Sequence, residues 1–398
     1  MSGMQNNPHN YNNYDLIVVG AGVIGAAFAL KIAMQSNYRI LVVERSEQQV
    51  TNDTPNQRVF ALGKQATDLL DEIKVFSELD QTNCHAYQRM VVWDAGSKGE
   101  LSFSAQDQQQ SQLGNMVDAT SLTLFLQRAL QDEEQITAHY QLDIKSMHLH
   151  EKRATLNTTL GEFSAPLIVA ADGGQSWCRQ QAKIFAHRQS YFQQGIVARI
   201  KTAESHQDTA WQVFLNSGPL ALLPLQDNEC SIVWTANNDK VDDLLALNEN
   251  EFANQLNDAL QNRLGSVELL SARQSFPLQS VKAETYYKRR LALIGDAAHS
   301  IHPLAGQGAN LGFKDVAALI KVLSPLQSKQ FGDLTVLQSY QQARKADNEH
   351  TDLLMSSLNK IYQIDKGWLP TLRGTGMNII NSTPRFKNLL AKQAMGLL

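Results

Sequence analysis

The sequence predicts an α/β protein in which a parallel sheet with crossover helices carries an inserted mixed β-sheet and a helical C-terminus. Three observations predict this class. An apolar strand, a glycine turn and a small-residue helix follow one another at 15–30, four strand-like runs crowd 195–236, and the chain beyond 315 shows mainly helical periodicity. The length of 398 residues, with 43% hydrophobic and 19% charged residues, is typical of a globular chain with two or three lobes.

The first element contains a glycine pattern in the context that nucleotide binding needs. In DLIVVGAGVIGAAFAL, Gly20, Gly22 and Gly25 follow the strand at GxGxxG spacing, and the next strand, RILVVE, ends at Glu44. The glycines permit a tight turn against a pyrophosphate, and the acid can hold the adenosine ribose. This pattern predicts a Rossmann-like dinucleotide-binding unit. It does not separate NAD from FAD, and a glycine-rich turn without a ligand is the alternative.

A second glycine-rich stretch, LALIGDAAHSIHPLAGQGANLGFKD, spans 291–315. An apolar strand ends in Gly295 and Asp296, a loop of small residues follows, and a helix is predicted to open at about Gly308. A helix N-terminus presents free N–H groups and favours a negatively charged ligand. Ala305, Gly306, Gly308 and Gly312 leave room for backbone to approach a flat ligand. We therefore expect a large ligand against this loop.

Several motifs together carry a resemblance to a known family. Arg58 in QRVFAL, LIVAADGGQS at 167–176 and the Gly-Asp pair at 295 combine with the N-terminal glycines. The chain thereby resembles the flavoprotein aromatic hydroxylases that use one bound FAD. Within that group, HPLAGQGANLGFKD at 302–315 is similar to the ubiquinone-biosynthesis hydroxylases, and the resemblance spans nearly the whole chain.

The resemblance implies a division of the chain into domains. The FAD-binding domain is expected at 15–75, 116–183 and 286–345, and the substrate domain at 76–115 and 184–285. A C-terminal helical region is expected at 346–398. The first segment, 1–14, is polar and rich in Asn, and we predict that it is disordered. Asp118 or Thr120 is predicted to cap the helix that returns to the cofactor domain.

The resemblance also implies the site residues. Those expected to bind the cofactor are Gly20, Gly22, Gly25, Glu44, Arg45, Arg58, Asp172, Gly173, Gly295, Asp296, Pro303, Gly306, Gly308, Ala309 and Asn310. Those expected to act in catalysis are His302, Pro303, Gly306 and Gln307.

Individual roles follow from residue chemistry and the resemblance together. Asp296 is expected to accept a hydrogen bond from a ribityl hydroxyl of FAD, and Arg58 to lie near the pyrophosphate or the flavin ring. Backbone at 306–310 would stabilise negative charge on the reduced flavin. His299 and His302 are either general acids or bases, or residues that hold loop backbone by hydrogen bonds. Metal-ligand and Ser-His-Asp patterns are absent from the sequence, and we predict no metal site.

The predicted substrate lobe contains large apolar residues that have two interpretations. Trp211, Phe214, Leu220, Leu222 and Trp234 either line an aromatic-substrate pocket or pack in a core, which is the commoner use of such side chains.

The activity implied by the resemblance is a hydroxylation. NAD(P)H would bind transiently and reduce the flavin, and a C4a-hydroperoxide formed with O₂ would deliver one oxygen atom to a polyprenylated phenol or quinol. Two alternatives stay open at this point. One is another flavin oxidoreductase of the same fold acting on a soluble aromatic compound, and the other is a non-catalytic FAD-binding subunit of a biosynthetic complex.

Charge and hydropathy bound the partners. The net charge of −4 predicts no nucleic-acid binding, and Cys84, Cys178 and Cys230 lie too far apart in sequence to form a CxxC motif. The apolar run 16–30 is shorter than the ~20 residues of a membrane span, so we predict a cytoplasmic protein. The C-terminal segment mixes basic and apolar residues, which suits either a membrane surface at the inner face or docking onto the body of the protein. A homo-oligomer and a ubiquinone-biosynthesis complex are further expectations.

Overall fold

The computed structural model describes residues 12–49, 58–79, 82–301, 307–364 and 367–394. Its strands, numbered in chain order, are β1 (Leu16–Val19), β2 (Ile40–Val43), β3 (Val59–Leu62), β4 (Cys84–Tyr87), β5 (Arg89–Asp94), β6 (Glu100–Ser104), β7 (Gly114–Asp118), β8 (Ile136–His139), β9 (Ile144–Leu149), β10 (Ala154–Thr158), β11 (Gly161–Ala165), β12 (Ile168–Ala170), β13 (Ala186–Thr202), β14 (Thr209–Leu215), β15 (Gly218–Pro224), β16 (Glu229–Asn237), β17 (Val267–Leu269), β18 (Gln274–Ala283), β19 (Tyr287–Lys288), β20 (Leu291–Leu293) and β21 (His299–Ser300).

The α-helices of the described residues are α1 (Val23–Ala33), α2 (Lys64–Glu72), α3 (Ala119–Asp132), α4 (Trp177–Gln181), α5 (Asn238–Ala246), α6 (Glu249–Ala259), α7 (Gln307–Leu323), α8 (Leu334–Gln363), α9 (Leu369–Ser382) and α10 (Pro384–Ala394).

A six-stranded sheet in the order β19-β20-β12-β1-β2-β8 forms the first layer. Its neighbours pair in parallel except β19, which pairs antiparallel with β20. β1, β2, β12 and β20 are apolar and buried at every position, as expected for parallel strands covered on both faces. Residues of α1, α3 and α7 share its core. The sheet therefore brings the turns after β1, β2, β12 and β20 to one edge.

A nine-stranded sheet forms the second layer, in the order β21-β18-β13-β16-β15-β14-β5-β6 with β17 paired to β13. Most of its pairs are antiparallel, but β14 pairs in parallel with β5. The inserted mixed sheet predicted from the sequence is confirmed. Its own core lies between one face of the sheet and α5 and α6, so the opposite face is left to meet the first layer.

Two small antiparallel sheets complete the β-structure. The order β3-β7-β4 bridges the two layers, and β11-β10-β9 lies beside the six-stranded sheet. At the end of β7, the Asp118 carboxylate accepts a hydrogen bond from the Ser121 backbone N–H at 2.8 Å and caps α3. The cap that the sequence predicted as Asp118 or Thr120 is thus Asp118.

The C-terminal helices dock onto the nine-stranded sheet. The Arg373 side chain on α9 forms a buried ion pair with Asp94 on β5, with Nε and Oδ2 3.2 Å apart. The Tyr362 ring stacks on the Phe214 ring with the centroids 3.8 Å apart. Beyond α8 the C-terminal region is divided into two helices: α9 ends at Ser382 and α10 starts at Pro384, because proline cannot continue a preceding helix.

Two helices, α5 and α6, connect β16 to β17, and α2 starts at Lys64, after β3. Order begins before residue 15, since the Tyr14 N–H donates to the Ser164 carbonyl at 2.9 Å and Tyr14 is buried. The rest of the segment predicted to be disordered, 1–11, lies outside the described residues. The domain boundaries stay a proposal.

Candidate active site

A cavity of about 530 Å³ lies between the two large sheets. The turns after β1, β12 and β20 and the start of α7 form one wall, and the free face of β13–β16 forms the other. Arg58 and the following residues of β3 close one side. The sequence-predicted residues that line it are Gly22, Arg58, Gly173, Gly295, Asp296, Gly308 and Ala309.

The three glycines of the first turn have different tasks. Gly20 has φ +107°, and a Cβ there would lie 2.4 Å from the Ala171 carbonyl oxygen. A Cβ on Gly25 would lie 2.0 Å from the Gly20 carbonyl oxygen. A Cβ on Gly22 would meet no described atom within 4 Å. Gly20 and Gly25 therefore permit the turn and the helix packing, whereas Gly22 leaves open space on the cavity side.

Glu44 lies at the carboxyl end of β2, beside this turn. Its carboxylate accepts hydrogen bonds from the Ala21 N–H at 2.7 Å and the Ser46 N–H at 2.8 Å. Each carboxylate oxygen retains a further lone pair for a ribose hydroxyl. Arg45, the next residue, is exposed and does not line the cavity.

The Gly-Asp turn after β20 directs a carboxylate into the cavity. Gly295 has φ +57°, where a residue with a Cβ would be strained. The Asp296 side chain is accessible from the cavity but enclosed by its walls. Desolvation raises the pKa of Asp296 above its ordinary value, and the positive charges of His299 and Arg58 oppose this rise. A ligand hydroxyl that donates to Asp296 would restore part of the lost hydration.

A buried charge network holds this turn from behind. One oxygen of Asp315 accepts from the Gly295 N–H at 3.0 Å and lies 2.5 Å from His299 Nε2. The other accepts from Arg344 Nε at 2.8 Å. Burial alone would raise the pKa of Asp315, but His299 and Arg344 lower it below its usual range. Because the ionised Asp315 can only accept, Nε2 of His299 carries a proton.

His299 is therefore committed to Asp315, and it is buried. Between the two roles that the sequence left open, this contact supports holding the structure. The contact between Arg344 and Asp315 could not be predicted from the sequence. Arg344 lies on α8 and Asp315 on α7, so the two meet only when these helices pack together.

Arg179 was missed by sequence reasoning. This α4 residue is 1% exposed, and its guanidinium donates to the Ala297 carbonyl at 2.6 Å and the Gly174 carbonyl at 2.8 Å. It thereby ties the Gly-Asp turn to the glycine turn after β12. Desolvation lowers the pKa of Arg179, and Arg188 adds to this effect. An arginine three residues after the helix cap Ser176 was the only signal in the sequence.

Asp172 differs from its expected placement. Its Oδ2 accepts from the Cys178 N–H at 2.9 Å, and its buried Oδ1 has no hydrogen-bond partner among the residues that the structure describes. Its neighbours Ala171 and Gly173 line the cavity, but Asp172 does not. Its role toward a cofactor stays a prediction.

The N-terminal turn of α7 contributes backbone to the cavity. A Cβ on Gly308 would meet no described atom within 4 Å, so this glycine also faces open space. The Asn310 side chain instead donates to the Ala61 carbonyl at 2.8 Å and accepts from the Gly63 N–H at 2.9 Å, which joins α7 to the end of β3. His302, Pro303 and Gly306 lie outside the described residues, and of Gln307 only the backbone is described, as the first residue of α7.

The apolar wall is formed by a different set of residues from the aromatic set that the sequence suggested. Of that set only Trp211 lines the cavity; Leu220, Leu222 and Trp234 pack in the core beneath α5 and α6, and Phe214 packs on Tyr362. Strand side chains alternate between faces, so the residues adjacent to Leu220, Leu222 and Trp234 face the cavity. The apolar lining residues of this sheet include Val197, Ala210, Ala221, Leu223, Val233 and Phe276.

One cluster in the described part of the chain has metal-ligand residue types, namely His85, His206 and Asp208. Both ring nitrogens of His206 are already used: Nε2 lies 2.8 Å from the Leu225 carbonyl oxygen, and Nδ1 accepts from the Asp208 N–H at 3.1 Å. Asp208 also contacts His85 Nε2 at 3.0 Å. This cluster is a hydrogen-bonded loop anchor in which His206 has no free lone pair for a metal.

The cavity fits a long nucleotide with a flat ring system. Open space faces Gly22 at one turn and Gly308 at another, and Asp296 lies on the same cavity. Glu44 stands where the adenosine ribose is bound in Rossmann-like units. Glu44, Gly22, Asp296 and the α7 N-terminus would together hold FAD.

Comparison with known proteins agrees with this geometry. The family model described as FAD binding domain matches residues 13–351. The chain belongs to this family. The predictions of FAD as the cofactor and of membership of the flavoprotein aromatic hydroxylases are thereby confirmed.

Individual relatives and solved structures are similar to this chain over most of its length. 3-Demethoxyubiquinol 3-hydroxylase of Escherichia coli (strain K12) is 33% identical over 391 residues, which cover 96% of this chain and 98% of that protein. Ubiquinone biosynthesis monooxygenase COQ6 of Danio rerio is 28% identical over 426 residues, covering 94% and 88%.

Among solved structures, p-nitrophenol 4-monooxygenase PnpA of Pseudomonas putida DLL-E4 has a TM-score of 0.77 at 14% identity, covering 96% of this chain and 97% of that one. PqsL of Pseudomonas aeruginosa has a TM-score of 0.76 at 18% identity, covering 92% and 100%. At these identities the structures show the shared fold, and they confirm the predicted fold class.

Proposed function

We propose that the protein is a FAD-dependent monooxygenase that uses NAD(P)H and O₂ to hydroxylate the aromatic ring of a polyprenylated phenol or quinol in ubiquinone biosynthesis. The observation that carries the proposal is that the dinucleotide turn, the Gly-Asp turn and an apolar sheet face meet in one cavity. The names of the relatives, a demethoxyubiquinol hydroxylase and ubiquinone biosynthesis monooxygenases, supply the substrate class.

Bound FAD would supply the redox chemistry, by accepting a hydride from NAD(P)H and activating O₂ for insertion into an electron-rich ring. The protein's own residues orient the cofactor and the substrate and protect the reacting atoms from water. Gly22 admits the pyrophosphate, Glu44 accepts from the adenosine ribose, and Asp296 accepts from a ribityl hydroxyl. The N–H groups that open α7 stabilise negative charge on the ring system.

The apolar wall excludes water from the reacting atoms. Val197, Ala221, Leu223, Val233 and Phe276 present carbon to the cavity, so the aromatic ring displaces solvent when it binds. As the resemblance implies, Pro303 would rigidify the loop beside the flavin, and His302, Pro303, Gly306 and Gln307 would act in catalysis.

A polyprenylated substrate resides in a bilayer, and we propose that α9 and α10 rest on the inner face of the membrane. α9 buries Arg373, Gly374 and Met377 against the body, while Trp368, Leu372 and Ile379 on another face are 70%, 54% and 58% exposed. Residues 368, 372 and 379 form one stripe because they are spaced by four and seven residues. Phe386 on α10 is 63% exposed and adjoins the exposed Arg385.

Both interpretations of the C-terminal segment are therefore compatible. The buried face of α9 docks onto the body of the protein, and the exposed apolar stripe is available to a membrane surface. No helix among the described residues is long and apolar enough to cross a membrane. We expect a Leu372→Ser, Ile379→Ser, Phe386→Ser variant to lose cosedimentation with phosphatidylglycerol-containing vesicles. The matched control is Leu160→Ser, an equally exposed leucine at 61% in the β10–β11 turn. Equal cosedimentation of both variants would contradict the membrane contact.

The hydroxylase proposal is tested by an absorbance spectrum of the purified protein and by NAD(P)H oxidation with and without a short-chain polyprenylphenol, with the product mass recorded. Flavin bands, substrate-stimulated oxidation and a gain of one oxygen atom are expected. Flavin bands without stimulated oxidation by any phenol would favour the non-catalytic subunit, and turnover only with small soluble phenols would favour a different flavin monooxygenase.

A further inference from the structure

Two polar side chains, Gln212 and Thr235, interrupt the apolar wall of the cavity, and Gln212 is the one with both a donor and an acceptor on an amide. Gln212, at the centre of β14, lines the cavity and is 6% exposed. Its register neighbours across the sheet are Ala221 on β15 and, beyond it, Val233 on β16, which also line the cavity. Its neighbour Val213 is buried in the opposite core, and its other neighbour, Trp211, packs against that core while also lining the cavity. The Gln212 amide therefore faces the cavity.

No hydrogen bond joins the Gln212 amide to a described residue, so both its amide oxygen and its amide nitrogen stay open to the cavity. Other buried glutamines of the chain are bonded: Gln127 donates to the Ala21 carbonyl at 3.0 Å, and Gln193 accepts from Asn359 at 3.1 Å. The register neighbours Ala221 and Val233 are apolar, so the free amide of Gln212 is where a polar group of a ligand can bond on this part of the wall.

We propose that Gln212 is a specificity-determining residue that hydrogen-bonds a ring hydroxyl of the aromatic substrate. This inference rests on the proposed function and adds the part of the substrate that is recognised. The amide oxygen accepts from the ring hydroxyl, which a methyl ether lacks as a donor, so the residue favours phenols and quinols over ring ethers. The ring is thereby held at a fixed rotation, with its remaining carbons against Val197 and Val233.

The FAD-loaded protein is titrated with a short-chain prenylphenol and with its methyl ether, and binding is read from the change in the flavin absorbance spectrum without NAD(P)H. The wild-type protein is expected to bind the phenol about tenfold more tightly than the ether, as one buried hydrogen bond would give. Gln212→Leu is expected to bind both equally, through weaker binding of the phenol. Gln212→Met is a second apolar variant of closer shape.

The matched control is Gln279→Leu, an exposed glutamine of β18 in the same sheet that does not line the cavity, and it should keep the discrimination. Discrimination retained in both Gln212 variants overturns the inference. So does its loss in Thr235→Val, the nearby cavity hydroxyl on β16, with Gln212→Leu unaffected. If neither compound binds the wild-type protein, the proposed function itself fails, which is a distinct result.

Discussion

The buried carboxylate behind the Gly-Asp turn allows a matched pair of substitutions. Asp315 and Asp347 both bind the Arg344 guanidinium, at 2.8 and 2.6 Å, but their side chains are 0% and 40% exposed. Asp315→Asn removes a charge from a buried, hydrogen-bonded pair, which costs about 3 kcal/mol of unfolding free energy. Asp347→Asn removes the same charge at a solvated position and should cost under about 1 kcal/mol.

Urea unfolding of the two FAD-free variants, followed by circular dichroism, measures this difference. The pKa of Asp315 is lowered in the folded state, so its contribution is complete at neutral pH and is lost as pH falls below about 4. The gap between the wild type and Asp315→Asn should therefore narrow in acid. Asp315→Asn should also weaken FAD binding severalfold, because the Gly295 N–H loses its charged acceptor. Equal costs for the two variants at pH 7 would refute the reasoning.

Three further predictions concern the cavity walls. Asp296→Asn should make the FAD-free protein more stable at pH 7 and lower its FAD occupancy. The pKa of Asp296 is raised in the folded state, so its ionised form destabilises the fold at pH values above the pKa of Asp296 in the unfolded chain. A loss of stability in thermal unfolding would contradict this. Gly25→Ala should lower the melting temperature, since its Cβ would meet Gly20, whereas Gly22→Ala should melt normally but bind FAD more weakly. Fluorescence titration with FAD distinguishes the Gly25→Ala and Gly22→Ala variants. Equal FAD affinities and equal melting temperatures would refute the separate roles assigned to the two glycines. Arg179→Met should release the turn after β12 and lower FAD affinity severalfold in the same titration; an affinity equal to that of the wild type would argue against it.

Sequence reasoning succeeded where the determining interactions are local. The glycine turn, the Asp118 cap and the strand ending at Gly295 depend on residues within a few positions of one another. Local sequence did not determine which face of each strand meets the cavity and which meets the core. Apolar residues occupy both faces of β14–β16, because one covers a core and the other a cavity, so alternation could not tell which face was which.

The buried polar contacts were also beyond the sequence. His299 and Asp315 are separated by 16 residues and Arg344 by a further 29, and their contact needs α7 and α8 to pack together. Arg179 resembles a surface arginine in a short helix until the two glycine turns enclose it. Such non-local pairs could be expected only from the resemblance, which included Asp315 in its pattern but not its partners.

The strand order of the six-stranded sheet has a consequence for synthesis on the ribosome. β1 lies between β2 and β12, yet β12 is made about 150 residues after β1. At the usual elongation rate of 5–20 residues per second, the edge of β1 that pairs with β12 stays unpaired for roughly 8 to 30 s, until β12 has been synthesised. Leu16–Val19 is wholly apolar, so the nascent chain exposes an unpaired hydrophobic edge during that time. Holding chaperones should therefore raise the yield of native protein more than a faster translation rate would.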